Sequence, residues 1–298
     1  MSDLLNQTTN NTQASDLLLA VAYLHFIFII VPTIVLGIII IVVIWKEKKP
    51  TGLVPIVILY LAMAILCVLA ALTYGILWNV STITGIPFLG ECKTHLLINT
   101  SVTIYFSFHA FIALNTGTSA LFQFLVLKYG KKVSSKWVYI ALLFLVITSI
   151  SVSCVYFYGG DSTTIRGSNC LFNNDADGTI TVGSWVFLAY TVPLAMTIIF
   201  SVLTCNKVKH DISQSSDDEK SLVTSIVQIN TFNICSYIIF RLASALLYFV
   251  GTRLLSGDVE YAAAAIIISR NLNDASYPTT LISILVVHKG LRRMAAKM

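Results

Sequence analysis

Residues 261–287 form an apolar run long enough to cross a bilayer, yet its middle reads Ser269-Arg270-Asn271-Leu272-Asn273-Asp274-Ala275-Ser276-Tyr277-Pro278-Thr279-Thr280. Few folds tolerate such a helix. Charged groups at bilayer depth are costly unless they face other helices or water. Pro278 lacks a backbone donor, bends the helix, and leaves a carbonyl that neighbouring side chains must satisfy. A polar, bent helix of this kind needs a bundle around it.

The rest of the chain supplies one. Of the 298 residues, 56% are apolar and only 11% are charged, and the mean hydropathy is +0.83. A soluble domain averages about 25% charged residues. The apolar runs are long and unbroken, which indicates helices rather than barrel strands. They cover residues 17–45 (with Pro32 inside), 53–77, about 92–127, 137–158, 182–205 (with Pro193 inside), 221–250 and 261–287. The expected fold is an all-α membrane protein, a seven-transmembrane-helix bundle. Residues 1–16 form an outer N-terminal segment, 17–287 the bundle, and 288–298 a tail. In the tail, Lys289, Arg292, Arg293 and Lys297 alternate with Leu291 and Met294, as in a short amphipathic helix on the membrane surface.

The net charge of +5 reflects placement relative to the bilayer, not nucleic-acid binding. Lys46, Lys48, Lys49, Lys128, Lys131, Lys132, Lys136, Lys207, Lys209, Lys220, Lys289, Arg292, Arg293 and Lys297 fall on one side, against Lys93, Arg166 and Arg253 on the other. The positive-inside rule then puts the C-terminus in the cytoplasm and the N-terminus outside, as in a multi-pass plasma-membrane protein. Sequons at Asn6, Asn10 and Asn79 fall on the translocated side and are candidate glycosylation sites. No cleavable signal peptide is apparent in residues 1–16. Asn99-Thr100-Ser101 also matches a sequon but lies within the third span. In the fifth-to-sixth linker, Ser213 to Ser216 precede Asp217-Asp218-Glu219, which suits either phosphorylation or a plain solvated loop.

Cys67, Cys154 and Cys235 read as apolar packing residues, and Cys205 as a membrane-edge cysteine. Cys92 and Cys170 fall on the oxidising face. A disulfide between them would pin the fourth-to-fifth loop over the bundle, and two free thiols are the alternative.

Seven spans, an outer N-terminus, sequons and this cysteine placement resemble the rhodopsin-like G-protein-coupled receptor family. Leu61-Ala62-Met63-Ala64-Ile65 resembles its Leu-Ala-x-x-Asp motif, with Ile65 in place of the acid. Tyr190-Thr191-Val192-Pro193-Leu194 resembles the aromatic-x-x-Pro-Leu pattern of the fifth helix, and Asn273-Asp274-Ala275-Ser276-Tyr277-Pro278 the Asn-Ser-x-x-Asn-Pro motif of the seventh. There are departures. Counting from Cys92 puts Asn115, Thr116 and Gly117 where the family carries Asp-Arg-Tyr, and the sixth span has neither Trp nor Pro. Asn99 stands where amine-binding members carry Asp. Tyr277-Pro278, Ile282 to Val287, Thr118-Ser119 and Phe122-Gln123-Phe124-Leu125 are similar to bitter-taste receptors, so the resemblance implies a divergent chemosensory-type member. Such a receptor has a small-molecule ligand and a heterotrimeric G protein as partners, with no cofactor and no catalysis.

Two groups of residues are candidates for function. Arg241, roughly 13 Å inside the outer end of the sixth span, and Arg270 in the seventh form a candidate anion-binding pair, with Asn99, Tyr105 and Phe106 lining the same cavity. The blander reading has Arg241 snorkelling or bonding Glu260 or loop carbonyls. Asp274 with Asn115, Asn233, Asn273, Tyr277 and Pro278 forms a candidate polar core. Arg270 and Asp274, four residues apart, share a helix face. They make either a static ion pair or a switch in which Asp274 exchanges among Asn115, Asn233 and Arg270.

Other function classes fit less well. A transporter or channel predicts inverted repeats and paired interrupted helices, which are absent from the sequence. A retinal protein needs a Schiff-base lysine, and residues 261–287 contain none. A membrane hydrolase needs clustered intramembrane His, Asp or Glu. His25, His109 and Asp274 fall singly on different spans, which counts against that class.

Overall fold

The computed structural model describes residues 19–46, 54–84, 95–129, 133–157, 161–166, 169–173, 187–211, 217–251 and 259–287. Seven helices fill all of these segments but 161–166 and 169–173: α1 (Leu19–Lys46), α2 (54–84), α3 (His95–Tyr129), α4 (Ser135–Phe157), α5 (187–211), α6 (217–251) and α7 (Val259–Val287). They form an all-helical seven-helix bundle. Four of them contain stretches long and apolar enough to cross a membrane. The segments 1–16 and 288–298, and with them Asn6 and Asn10, lie outside the described residues, as do Cys92 and Ser213 to Ser216.

Helix limits follow elementary signals. Pro55 sits at the second residue of α2, where its missing N–H costs nothing. The acidic triplet Asp217-Asp218-Glu219 opens α6, where the helix dipole favours negative charge. Lys46 and Lys128 lie in the last turns of α1 and α3, where the dipole favours cations. Wide π turns interrupt four helices: Phe26–Ile30, Ala71–Gly75, Phe187–Thr191 and Tyr237–Leu242. Those in α1 and α5 end two residues before Pro32 and Pro193, which disrupt the regular ladder. Around Pro278 in α7, the hydroxyls of Ser276, Thr279 and Thr280 donate to the carbonyls of Asn273, Ala275 and Ser276.

α3 is the central post, packed against α2, α4 and α5, and α1 and α7 close the other side. A core of Ile40, Val43, Tyr60, Met63, Ala64, Cys67, Ile112, Tyr277, Leu281 and Ile284 joins α1, α2, α3 and α7. The outer face of α4 shows Trp137, Ile140, Leu143, Phe144 and Ile147, an apolar surface suited to lipid. A two-stranded antiparallel hairpin, β1 (Asp161–Arg166) and β2 (Asn169–Asn173), joins the α4–α5 connection and places Cys170 opposite Thr164.

Small residues set the closest helix approaches. A Cβ on Gly117 of α3 would lie 3.1 Å from the Pro193 carbonyl oxygen and 3.2 Å from the Pro193 Cα of α5, both immovable backbone. Gly117→Val is therefore expected to lower the thermal unfolding midpoint, with a cost of about 1–3 kcal/mol for overpacking. An unchanged midpoint would mean that α3 and α5 do not meet there.

Candidate functional site

Several polar residues of α7 are met by side chains from α1, α3 and α6. Asp274, 2% exposed, lies at the centre. Its Oδ2 is 2.9 Å from His25 Nε2 of α1. Its Oδ1 is 2.9 Å from His109 Nε2 of α3 and accepts the Tyr105 hydroxyl at 3.0 Å. The outer nitrogens of the two rings are engaged as well. The Asn79 amide of α2 lies 2.8 Å from His25 Nδ1 and donates to the Gly75 carbonyl at 2.6 Å. The Tyr277 hydroxyl lies 2.8 Å from both ring nitrogens of His109, with the two rings stacked.

The two imidazoles and the Tyr105 hydroxyl are the groups that meet the carboxylate. One carboxylate thus accepts three donors from two other helices. A buried carboxylate requires such pairing. The N–O distances are those of direct hydrogen bonds, and among the described residues no group of three His, Cys, Asp or Glu is arranged to hold a metal ion.

This arrangement corrects several sequence expectations. His25, His109 and Asp274 are not isolated, because they converge on one point. Asp274 makes no ion pair with Arg270 among the described residues. The Arg270 guanidinium instead sits 5.4 Å from the Tyr105 ring centroid. Asn115 and Asn233 are not partners of Asp274 either. Asn115 donates to the Leu59 carbonyl at 3.0 Å, and Asn233 accepts from Ser283 at 3.1 Å. Asn273 is buried beside the site, and its Oδ1 has no hydrogen-bond partner.

Ile65 is 39% exposed and faces away from the core, so it does not mark a lost central acid; Ala64 and Cys67 face inward. Asn115 to Gly117 lie inside α3, roughly three turns before its end at Tyr129, because that helix is 35 residues long. Asn79 is not a loop residue. α2 continues to Thr84, and Asn79 is fully buried, its amide nitrogen bonded to His25 and Gly75, which removes it as a glycosylation site. Asn99 lies on α3, as the sequence indicates.

Of the remaining candidates, Tyr105 holds Asp274 directly, and Phe106 packs edge-on against Tyr105 at 5.3 Å. Arg241 of α6 points inward and is buried, donating from Nη1 to the His109 carbonyl at 3.2 Å. The seam between α6 and α7 is tied by the hydroxyl pairs Ser244–Ser269 (3.1 Å) and Ser236–Thr279 (2.9 Å). His25, His109 and Asn79 are the site residues that sequence reasoning missed. The available signal was a histidine within an apolar run for His25 and His109, and for Asn79 a polar residue just past the end of one.

No family profile matches the sequence, and no curated protein does. Among solved structures, the crystal structure of squid rhodopsin superposes with a TM-score of 0.76 at 14% identity, covering 95% of this chain and 85% of that one. The chain therefore has the rhodopsin-like seven-helix fold.

Asp274→Ala strands two ring N–H groups and a hydroxyl in the core, and is expected to destabilise the protein by about 3–5 kcal/mol in thermal or denaturant unfolding. Asn79→Gln is expected to leave the glycosidase-sensitive gel mobility of the expressed protein unchanged. A mobility change in that variant would return Asn79 to an exposed loop.

Proposed function

We propose that this protein is a receptor of the divergent chemosensory type. In this reading it sits in the plasma membrane with its N-terminus outside, binds an extracellular small molecule between its helices, and signals through a heterotrimeric G protein. The observation that carries the reading is a rhodopsin-like bundle whose α1, α2, α3 and α7 are tied through one buried carboxylate. A receptor of this fold transmits by changing how helices pack, and interiors pass such shifts between discrete arrangements. The Asp274 network supplies a bistable element, since losing any partner forces its carboxylate to find another donor. Tyr105, which holds Asp274 and underlies Arg270, is the contact through which a ligand in the outer half reaches the network.

The same reading assigns the Cys92–Cys170 disulfide and glycosylation at Asn6 and Asn10 to the outer surface. It gives the inner surface, at the ends of α1 and α3 marked by Lys46 and Lys128, to the G protein. It requires no cofactor and no catalysis. The clustering of His25, His109 and Asp274 does not revive a hydrolase, because every polar atom of the three side chains is already engaged by a neighbour within the bundle.

G-protein dissociation in cells expressing the wild type, Asp274→Asn and Arg270→Ala at matched surface levels tests the proposal. Basal or ligand-evoked signal is expected for the wild type, and a changed signal for Asp274→Asn. Silence across all G-protein classes at good surface expression would point instead to a seven-helix protein that does not couple.

A further inference from the structure

Arg241 is only 3% exposed. Its guanidinium offers five N–H donors. One is used on the His109 carbonyl, and the Tyr237 ring centroid lies 5.4 Å from the guanidinium carbon. Among the described residues no carboxylate forms an ion pair with it. The Asp274 carboxylate lies in the same core beside His109, but its two oxygens are held by His25, His109 and Tyr105. A buried guanidinium with donors left unpaired is unfavourable. A further acceptor would satisfy the N–H groups that the His109 carbonyl leaves free.

The local backbone is also unusual. Arg241 lies on the π turn Tyr237–Leu242, which contains neither Pro nor Gly. The π turns of α1 and α5 precede prolines, and that of α2 ends in Gly75. π turns without a sequence cause are common where a side chain is re-aimed for function. Here the turn brings Tyr237, Arg241 and, one turn on, Ser244 to the buried face.

We propose that Arg241 anchors the carboxylate of a small organic acid bound between α3, α5, α6 and α7. The planar guanidinium matches a carboxylate through two parallel hydrogen bonds. Tyr190 and Tyr237, edge-on with centroids 6.4 Å apart, provide aromatic surface beside it for the body of the acid. Half-buried Arg270, one turn from Asp274 on α7, adds positive potential along the same interior. The inference rests on the receptor reading and names its ligand class. It also links the ligand to the switch: among the described residues Arg241 bonds to the backbone of His109, whose ring holds Asp274.

The test is thermal unfolding of the full-length protein in nanodiscs. Benzoate and hexanoate serve as water-borne acids, oleate as a bilayer-borne acid, and benzamide and hexanamide as neutral counterparts. The midpoint is expected to rise saturably with an acid and not with its amide. Arg241→Gln is expected to weaken the apparent affinity by about 10- to 100-fold, with Arg241→Lys in between. A response confined to oleate assigns the ligand to the bilayer, and one confined to benzoate or hexanoate to the aqueous side. Equal shifts from acids and amides, an undiminished response in Arg241→Gln, or no shift from any acid overturns the inference. Since no G protein takes part, those results leave the receptor reading standing. Carboxylate binding without G-protein dissociation would keep the site and remove that reading.

Discussion

A single buried carboxylate organises this bundle. Asp274 is 2% exposed, so its charge depends on His25, His109 and Tyr105, which meet its two oxygens at 2.9 to 3.0 Å. Those donors come from α1 and α3, and Asn79 of α2 and Tyr277 of α7 fix the ring orientations. Four helices therefore share one electrostatic constraint, and their relative positions are set by bonds of about 3 Å. The apolar core toward the Lys46 end of α1 adds burial without direction. The polar cluster adds direction.

The irregular backbone serves this convergence. His25 immediately precedes the π turn of α1, Asn79 follows that of α2 by one turn, and Arg241 lies on that of α6. A π turn rotates everything beyond it relative to a regular helix, so each of these side chains is aimed inward by a local widening. At α1 the cause is Pro32, with Thr33 donating to the Ile29 carbonyl to steady the disrupted ladder. The hydroxyl pairs along α6 and α7 act similarly, satisfying polar groups between helices where lipid offers no partner.

Much of this was legible from the residues. Seven apolar runs gave seven helices, and the polar stretch 269–280 demanded a buried environment that α7 has. Asp274 needed partners, whereas Arg241 could face inward or snorkel, and the structure turns it inward. The partners themselves were not legible. Apolar periodicity reports which face of a helix is buried but not the depth at which it meets another helix, so His25, His109 and Asp274 looked unrelated. Two further misreadings have definite causes. Asn79 was placed in a loop because the apolar run ends at Leu77, although the helix persists through the more polar residues to Thr84. Ile65 was read as a core position by motif matching, but the rotation of α2 turns it outward and brings Ala64 and Cys67 inside.

The central claim is that His25 and Asp274 are bonded across 249 residues of sequence. The most direct measurement is a double-mutant cycle in denaturant or thermal unfolding, using His25→Ala, Asp274→Asn and the pair. A direct buried contact predicts a coupling energy on the order of 1–3 kcal/mol, so the double variant should be less destabilised than the sum of the singles. Strict additivity would mean that the two side chains do not meet, and that α1 and α7 are held together by something other than this carboxylate.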